Sequence, residues 1–258
     1  MESKLYKKHL YLNKNIDFII ATEITEYDMK DGGYSLCKEY KLLPQKLLDE
    51  LGELPKKERH IKIGKLQRKD KELSKMLNEC FSEARRLFFS HNDLEDSDIL
   101  SIKKDAIFVI GKTCSNCDFG KIHFRGKNVY SSYAYLADCE FYYNSMIDTI
   151  DIKNINDDVL KKHEKYMTSF IKRMFKHLET SSQEVTLRYL KRFIDNYKNF
   201  NQPLGYYREY TKDSVYNVLN REDDDTFIYD NYWDDKIEDL DISFNYNNII
   251  IPFLRQTL

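Results

Sequence analysis

The spacing of apolar residues changes near residue 157, and this change constrains the fold more than any other feature of the chain. After it, apolar residues recur every three or four positions across residues 160–178 and 185–197, which predicts two helices. Before it, short runs rich in β-branched residues alternate with helical patterns, as expected for strands mixed with helices. The order therefore predicts an α+β chain, with mixed elements over residues 1–155 and a mainly helical part over residues 156–258.

Composition excludes several classes of protein. Hydrophobic residues make up 41% of the 258 residues, which is too much for a disordered chain. No apolar run approaches the ~18 residues that span a bilayer, and the N-terminus lacks a secretion signal, so no membrane partner is expected. The 41 basic and 43 acidic side chains exclude a globally basic coat protein. Five cysteines, an odd number, indicate reduced thiols in the cytoplasm, which is the host cytoplasm if the chain is viral.

Turn residues and periodicity divide the first 155 residues into elements. A strand is predicted over residues 16–25, and residues 34–51 predict two short helices separated by Pro44. A long amphipathic helix is predicted over residues 71–89. Further strands are predicted over residues 99–102, 106–110, 120–124, 131–136 and 139–143.

Two aspartates stand in similar surroundings. Asp28 follows an apolar strand and precedes a glycine-containing turn into a helix, and Asp105 lies at the bend between two apolar strands. Carboxylates at the ends of adjacent strands are the oxygen ligands that Mg²⁺ prefers, and two such ions can clamp both oxygens of a phosphoryl transfer. The alternative is that each Asp is an ordinary turn residue whose side chain bonds nearby backbone.

The segments around these aspartates resemble two catalytic motifs of palm-domain nucleic-acid polymerases, most closely those of family B DNA polymerases. Residues 26–36 (EYDMKDGGYSL) resemble the first motif, an Asp at a strand end followed by a turn and a helix. Residues 98–109 (DILSIKKDAIFV) resemble the third motif, a strand–Asp–strand hairpin. Residues 127–133 (KNVYSSY) and 140–142 (EFY) resemble the segment that touches the primer–template in that family.

The resemblance implies a domain organisation and an activity. It implies an antiparallel palm-like domain over residues 1–155 with a short basic fingers-like insert over residues 55–89, followed by a thumb-like region. The implied activity is a small nucleotidyltransferase of viral or plasmid type, complete or split, that uses Mg²⁺ or Mn²⁺. Its partners would be a primer–template, nucleoside triphosphates and, for a split enzyme, a further polymerase subunit.

The resemblance also assigns roles to individual residues. The catalytic and metal-binding residues are Asp28 and Asp105. The expected nucleotide-binding residues are Tyr34 and, in the basic stretch that is the only candidate for holding a triphosphate, Arg59, Lys62, Lys65 and Arg68. The nucleic-acid-binding residues are Lys127, Tyr130 and Tyr133.

The sequence departs from the family pattern at three places. Lys103 and Lys104 precede Asp105 where the family has a second carboxylate, and Gly33 occupies the position of the tyrosine that excludes ribose. The fingers motif of the family has no clear counterpart. An inactive palm-like protein that binds nucleic acid or a partner is therefore the alternative function.

Three further features leave alternatives open. Residues 55–75 carry nine basic and three acidic side chains, a net charge of +6, which suits either phosphate contacts or a solvated helix face. Residues 222–241 carry ten carboxylates and one lysine, which suits a solvated surface, a nucleic-acid mimic or a surface that blocks a host factor. The pair Cys114 and Cys117 could complete a zinc site with His123 and Cys139, although a hairpin turn is favoured.

Overall fold

The computed structural model describes residues 4–155, 167–199, 201–202 and 249–258, together with the backbone of four short strands. Those strands are Arg208–Tyr210, Val215–Asn217, Leu219–Arg221 and Phe227–Tyr229. The acidic segment 222–241 and the start of the helical pattern at residue 160 lie largely outside the described residues. Among the residues described, no helix is long and apolar enough to cross a membrane.

The chain forms two compact units. The first contains Met1–Asn15 and Glu23–Val129, and the second contains Ile16–Thr22 and Tyr130–Leu258. The sequence predicts a boundary after residue 155, whereas the contacts divide the chain at residue 129. The assignment of palm-like and thumb-like regions stays a prediction.

The first unit contains a six-stranded sheet in the order β1-β4-β5-β3-β7-β6. The pairs β1–β4, β4–β5, β3–β5 and β6–β7 are antiparallel. Its strands are β1 (Leu10–Leu12), β3 (Ile24–Met29), β4 (Ile99–Lys103), β5 (Ala106–Ile110), β6 (Asp118–Phe119) and β7 (Ile122–Tyr130). The hairpin of β4 and β5 confirms the strand–turn–strand prediction.

Four helices share one buried apolar cluster with this sheet. They are α1 (Gly32–Glu39), α2 (Gln45–Gly52), α3 (Lys56–Lys69) and α4 (Lys71–His91). Pro44 directly precedes α2, which confirms the predicted break, and α4 confirms the predicted long helix. The carboxylate of Asp70 accepts hydrogen bonds from two backbone amides of the first turn of α4 and so fixes its start.

Alternation along the strands of the first unit separates an apolar face from a polar one. Tyr27 and Met29 on β3 pack with Ile107 on β5 and with Phe81 on α4 in one buried cluster. Because successive side chains of a strand point to opposite faces, Glu26 and Asp28 lie on the other face of β3. The apolar cluster and the side chains of Glu26 and Asp28 therefore occupy opposite faces of β3.

The second unit is built around a four-stranded sheet in the order β10-β9-β8-β2. Its strands are β2 (Phe18–Ile19), β8 (Ser132–Leu136), β9 (Cys139–Asn144) and β10 (Thr149–Lys153). Its helices are α5 (Met167–Thr180), α6 (Gln183–Lys198) and α7 (Ile251–Thr257). Aromatic side chains dominate its core, where the rings of Tyr143 and Phe175 stack with centroids 5.6 Å apart.

Two expectations about strands are corrected. The single strand predicted over residues 16–25 is two strands, β2 and β3, because Ala21 has a positive φ of 52° that ends the first. The four short strands between residues 208 and 229 lie in the part predicted to be mainly helical. The α+β class with antiparallel sheets is confirmed.

Candidate active site

The two aspartates singled out in the sequence lie side by side at the ends of neighbouring strands. Asp28 is the penultimate residue of β3 and pairs with Ala106, the first residue of β5. Asp105 directly precedes Ala106 in the β4–β5 turn, and its carbonyl accepts a hydrogen bond of 3.0 Å from the amide of Met29. The antiparallel register thus brings two aspartates that are 77 positions apart in the sequence to adjoining strand ends.

The electrostatics of Asp28 reflect this proximity. Burial raises its pKa, since the side chain is only 16% exposed, and the negative charge of Asp105 raises the pKa further. Glu26 adds a smaller repulsion, while the charges of Lys127 and Lys56 act in the opposite direction. A divalent cation between the two carboxylates would relieve their repulsion, so their chemistry fits Mg²⁺ or Mn²⁺.

Two basic side chains of β7 face the acidic residues of β3. A guanidinium nitrogen of Arg125 lies 3.7 Å from a carboxylate oxygen of Asp28, and the ammonium of Lys127 lies 3.3 Å from Glu26. The amide of Asn128 donates a 2.6 Å hydrogen bond to the same buried Glu26. The sequence analysis missed Arg125, although its alternation with Lys127 along one strand places both side chains on one face.

The turn between β3 and α1 approaches Asp105 closely at Gly32. A Cβ atom at this position would lie 3.3 Å from the Cβ of Asp105 and 3.2 Å from Met29 and Phe81. A larger residue at position 32 would therefore displace at least one of these neighbours. The glycine allows α1 to start directly beside Asp105.

Arg59, predicted to bind a nucleotide, lies between helices of the first unit. Its guanidinium pairs with Asp31, donates to the carbonyls of Leu51 and Leu54, and lies 4.5 Å from the ring centroid of Tyr34. These contacts tie α3 to the end of α2 and to the turn before α1. The Tyr34 hydroxyl in turn donates to a carbonyl of α2. Both residues thus have internal partners, and their nucleotide-binding role stays a prediction.

The other predicted nucleotide-binding residues lie along α3. Lys65 and Arg68 are both exposed, and the ammonium of Lys62 lies 3.9 Å from a carboxylate oxygen of Glu50. Helical spacing places Lys62 and Lys65 one turn apart on the surface of α3. They remain accessible to an anionic ligand.

Tyr130 and Tyr133, predicted to contact nucleic acid, are buried in the structure. Tyr130 is 3% exposed and donates a 2.6 Å hydrogen bond to Asp151. Tyr133 is fully buried, and the rings of both tyrosines pack on Tyr142. Both rings are enclosed within the protein, and the nucleic-acid-binding role of these two tyrosines stays a prediction. Lys127, with 45% of its side chain exposed, can still reach a phosphate.

The cysteine and histidine residues do not assemble a zinc site within the described ranges. Cys114 is buried, and the Sγ of Cys117 contacts the carbonyl of Cys114. His123 instead pairs with Asp118 across the β6–β7 hairpin at 2.6 Å. Over the described part of the chain, no group of three or more His, Cys, Asp or Glu side chains is arranged to hold a metal ion.

A basic groove of about 720 Å³ lies along α4 in the first unit. Basic side chains in its lining come from the segment before β1 and from α4, and two glutamates also contribute. Residues of the groove include Tyr6, Lys7, Gln67, Lys71, Lys75 and Arg86. Of the nine basic residues of the segment 55–75, Lys71 and Lys75 line this groove.

The chain matches a protein family over its full length. The family model described as Bacteriophage PBS1 gene 130 protein matches residues 1–258. A search of curated proteins found no match. The predicted viral nature of the chain is confirmed by the family match, and the chain belongs to the Bacteriophage PBS1 gene 130 protein family.

Proposed function

We propose that this protein is a small palm-type nucleotidyltransferase that extends a nucleic-acid strand by phosphoryl transfer with divalent metal ions. The observation that carries the proposal is the placement of Asp28 and Asp105 at adjoining strand ends, where burial and mutual repulsion raise the pKa of Asp28. A protein that places two carboxylates together loses stability unless a cation offsets their repulsion. This arrangement is the one that the sequence resemblance implies.

The residues around the pair have separate tasks in this proposal. Asp28 and Asp105 would hold Mg²⁺ or Mn²⁺, which supplies charge stabilisation at the attacking and leaving oxygens when bound. Lys62, Lys65 and Arg68 on α3 would hold the triphosphate. Lys127 compensates the charge of Glu26 and would contact the primer backbone.

Primer extension tests the proposal directly. Wild-type protein is expected to extend a labelled primer on a template with deoxyribonucleotides or ribonucleotides in Mg²⁺ or Mn²⁺. Asp105→Ala is expected to reduce extension to background, because one of the two ligand carboxylates is removed. Asp148→Ala, which changes an aspartate in a hairpin turn of the second unit, is the matched control and should extend like wild type. Retained extension by a folded Asp105→Ala protein would contradict the proposal.

A second candidate function is nucleic-acid binding without catalysis. It is favoured by the ion pair of Arg125 with Asp28, which already offsets one carboxylate, and by the basic groove along α4. In this case, binding of fluorescent single-stranded DNA should weaken with salt, with a slope of about −0.7 per neutralised phosphate.

Charge reversal in the groove tests this second function. Lys71→Glu with Lys75→Glu should weaken DNA binding and reduce the salt slope by about 1.4 if each lysine neutralises one phosphate. Lys191→Glu with Arg192→Glu changes two exposed cations of α6 by the same charge and serves as the control. Equal losses in both double variants would show non-specific attraction and exclude a role for the groove.

A further inference from the structure

Arg85 on α4 is a fully buried cation that the proposed function does not yet use. It is 0% exposed and is among the largest completely buried side chains of the protein. A buried charge is costly unless hydrogen bonds and an opposite charge compensate it. Its partners therefore indicate why the fold keeps an arginine at this position.

The guanidinium of Arg85 is satisfied mainly by backbone carbonyls. It donates to the carbonyl of Tyr6 at 2.8 Å and to the carbonyl of Lys104 at 2.6 Å. Two further contacts, to the hydroxyl of Ser82 and to Nδ1 of His9, are 3.3 Å each. Burial lowers the pKa of Arg85 to about 10, and the negative charge of Asp105 raises it in opposition, so the group is charged at neutral pH.

These bonds fix the turn that presents Asp105. Lys104 has a positive φ of 57°, and its amide donates a 2.7 Å hydrogen bond to the carbonyl of His9. Its carbonyl, which belongs to the peptide bond leading into Asp105, accepts from Arg85. On the other side, the carbonyl of Asp105 accepts from Met29. The backbone is therefore held immediately before and immediately after Asp105.

We propose that Arg85 is a positioning residue that orients Asp105 toward Asp28 and partly compensates the charge of the acidic pair. This proposal rests on the proposed function in so far as Asp105 is a metal ligand. Arg85 acts through the peptide carbonyl of Lys104 and through its charge. Arg85 is not itself a ligand of the metal ion.

The two effects of Arg85 on metal binding have opposite signs, and this makes the proposal testable. A nearby positive charge repels a divalent cation, so removing it would tighten metal binding if charge were the whole effect. Loss of the hydrogen bond to the turn would loosen Asp105 and weaken metal binding. Residues that orient metal ligands typically change affinity by about 10- to 100-fold when mutated.

The experiment compares Arg85→Lys and Arg85→Met with Arg86→Met in the full chain. Lysine keeps the charge but cannot reach the acceptors that the guanidinium fork reaches. Arg86 is the adjacent arginine of the same helix and pairs with Glu83, so its variant makes the same chemical change away from the turn. If Arg85→Met does not fold, Arg85→Lys and Ser82→Ala, which removes one contact of the guanidinium, carry the comparison.

Two measurements are made on each folded variant. The first is hydrogen exchange of the Met29 amide by NMR, which reports the bond to Asp105 without any metal. The second is Mn²⁺ affinity by calorimetry. Arg85→Lys is expected to speed Met29 exchange by about tenfold or more and to weaken Mn²⁺ binding by about 10- to 100-fold. Arg86→Met should change neither quantity.

The outcomes separate this proposal from the proposed function. Wild-type protein that does not bind Mn²⁺ would contradict the metal site, while faster Met29 exchange in Arg85→Lys would still support the placement of the turn by Arg85. Wild-type protein that binds Mn²⁺, with unchanged or tighter binding and unchanged Met29 exchange in Arg85→Lys, would overturn the positioning role.

Discussion

Two of the hairpin turns that carry an aspartate at or beside a left-handed backbone position differ in their environments. Asp105 follows Lys104 in the β4–β5 turn of the first unit, while Asp148 itself has a φ of 52° in the β9–β10 turn of the second unit. Asp148 accepts hydrogen bonds from the ammonium of Lys172 at 2.9 Å and from the hydroxyl of Tyr143 at 3.0 Å.

The electrostatic consequences of the two turns are opposite. The hydrogen bond from Lys172 lowers the pKa of Asp148, whose side chain is 49% exposed. Beside the β4–β5 turn, burial and the charge of Asp105 raise the pKa of Asp28. A turn aspartate that serves structure is satisfied by its neighbours, whereas the pair at the end of β3 carries negative charge that its neighbours only partly compensate. The comparison shows that surroundings, more than residue type, distinguish a candidate site from a turn.

The largest expected difference between the two turns is in how much Mn²⁺ raises the free energy of unfolding of variants at Asp105 and at Asp148. A ligand present at 1,000 times its Kd stabilises the folded state by about 4.1 kcal/mol. Wild type and Asp148→Asn should therefore gain this amount in saturating Mn²⁺, and Asp105→Asn should gain little. Urea unfolding with and without Mn²⁺ measures the difference. An equal gain in Asp105→Asn would place the bound ion elsewhere.

Crowding beside the acidic pair should give the next largest effect. Gly32→Ala introduces a methyl group 3.2–3.3 Å from three side chains, and overpacking of this kind costs about 1–3 kcal/mol. Gly64→Ala is the matched control, because no atom lies within 4 Å of its added Cβ on α3. The control should gain about 0.5–1 kcal/mol through helix propensity. Chemical denaturation of both variants decides whether position 32 requires glycine.

The pH dependence of stability should give the smallest effect. Its slope is expected to have opposite signs for Asp28 and for Asp148. Because the pKa of Asp28 is raised in the folded protein, stability falls as the pH rises from the ordinary value of 3.8 through the folded pKa. Asp28→Asn should remove this fall and, without metal, gain up to about 1 kcal/mol at pH 7.

Asp148 provides the opposite slope. Its pKa is lowered, so its contribution is present above 3.8 and is lost as the pH falls through the folded pKa. Asp148→Asn should lose less than about 1 kcal/mol at pH 7, because a half-exposed ion pair is screened by solvent. Unfolding free energies of both variants between pH 3 and pH 7 test the reversal, and slopes of the same sign would contradict it.

Local patterns predicted the elements around the acidic pair. The strand–turn–strand pattern of residues 99–110 and the amphipathic pattern of α4 are short-range signals. Pro44 separates α1 from α2 because its ring fixes φ and removes a backbone donor, which is also a local effect. The proximity of Asp28 to Asp105 followed from the order of the motifs. The register of β3 against β5, in which Asp28 pairs with Ala106, is a property of the folded sheet.

Burial of polar and aromatic side chains was harder to predict. Tyr130 and Tyr133 follow the basic residue Lys127 in the sequence, as stacking residues of a nucleic-acid site would, yet sheet packing encloses both rings. Arg85 was overlooked because charged residues are rarely buried, although it stands four positions after Phe81 and three before Phe88 on the apolar side of α4. Such a charge is informative because the chain could have placed an apolar residue there.

The contacts of Arg85 and Lys104 have a practical consequence for working with shorter pieces of this protein. The carbonyl of Tyr6 accepts a hydrogen bond from Arg85, and the carbonyl of His9 accepts one from the amide of Lys104. Both carbonyls lie far earlier in the chain than the β4–β5 turn. A fragment that begins after His9 would leave the Arg85 guanidinium and the Lys104 amide without these acceptors, which destabilises the fold. Any truncation intended to isolate the two aspartates for crystallisation should therefore keep the opening segment through β1.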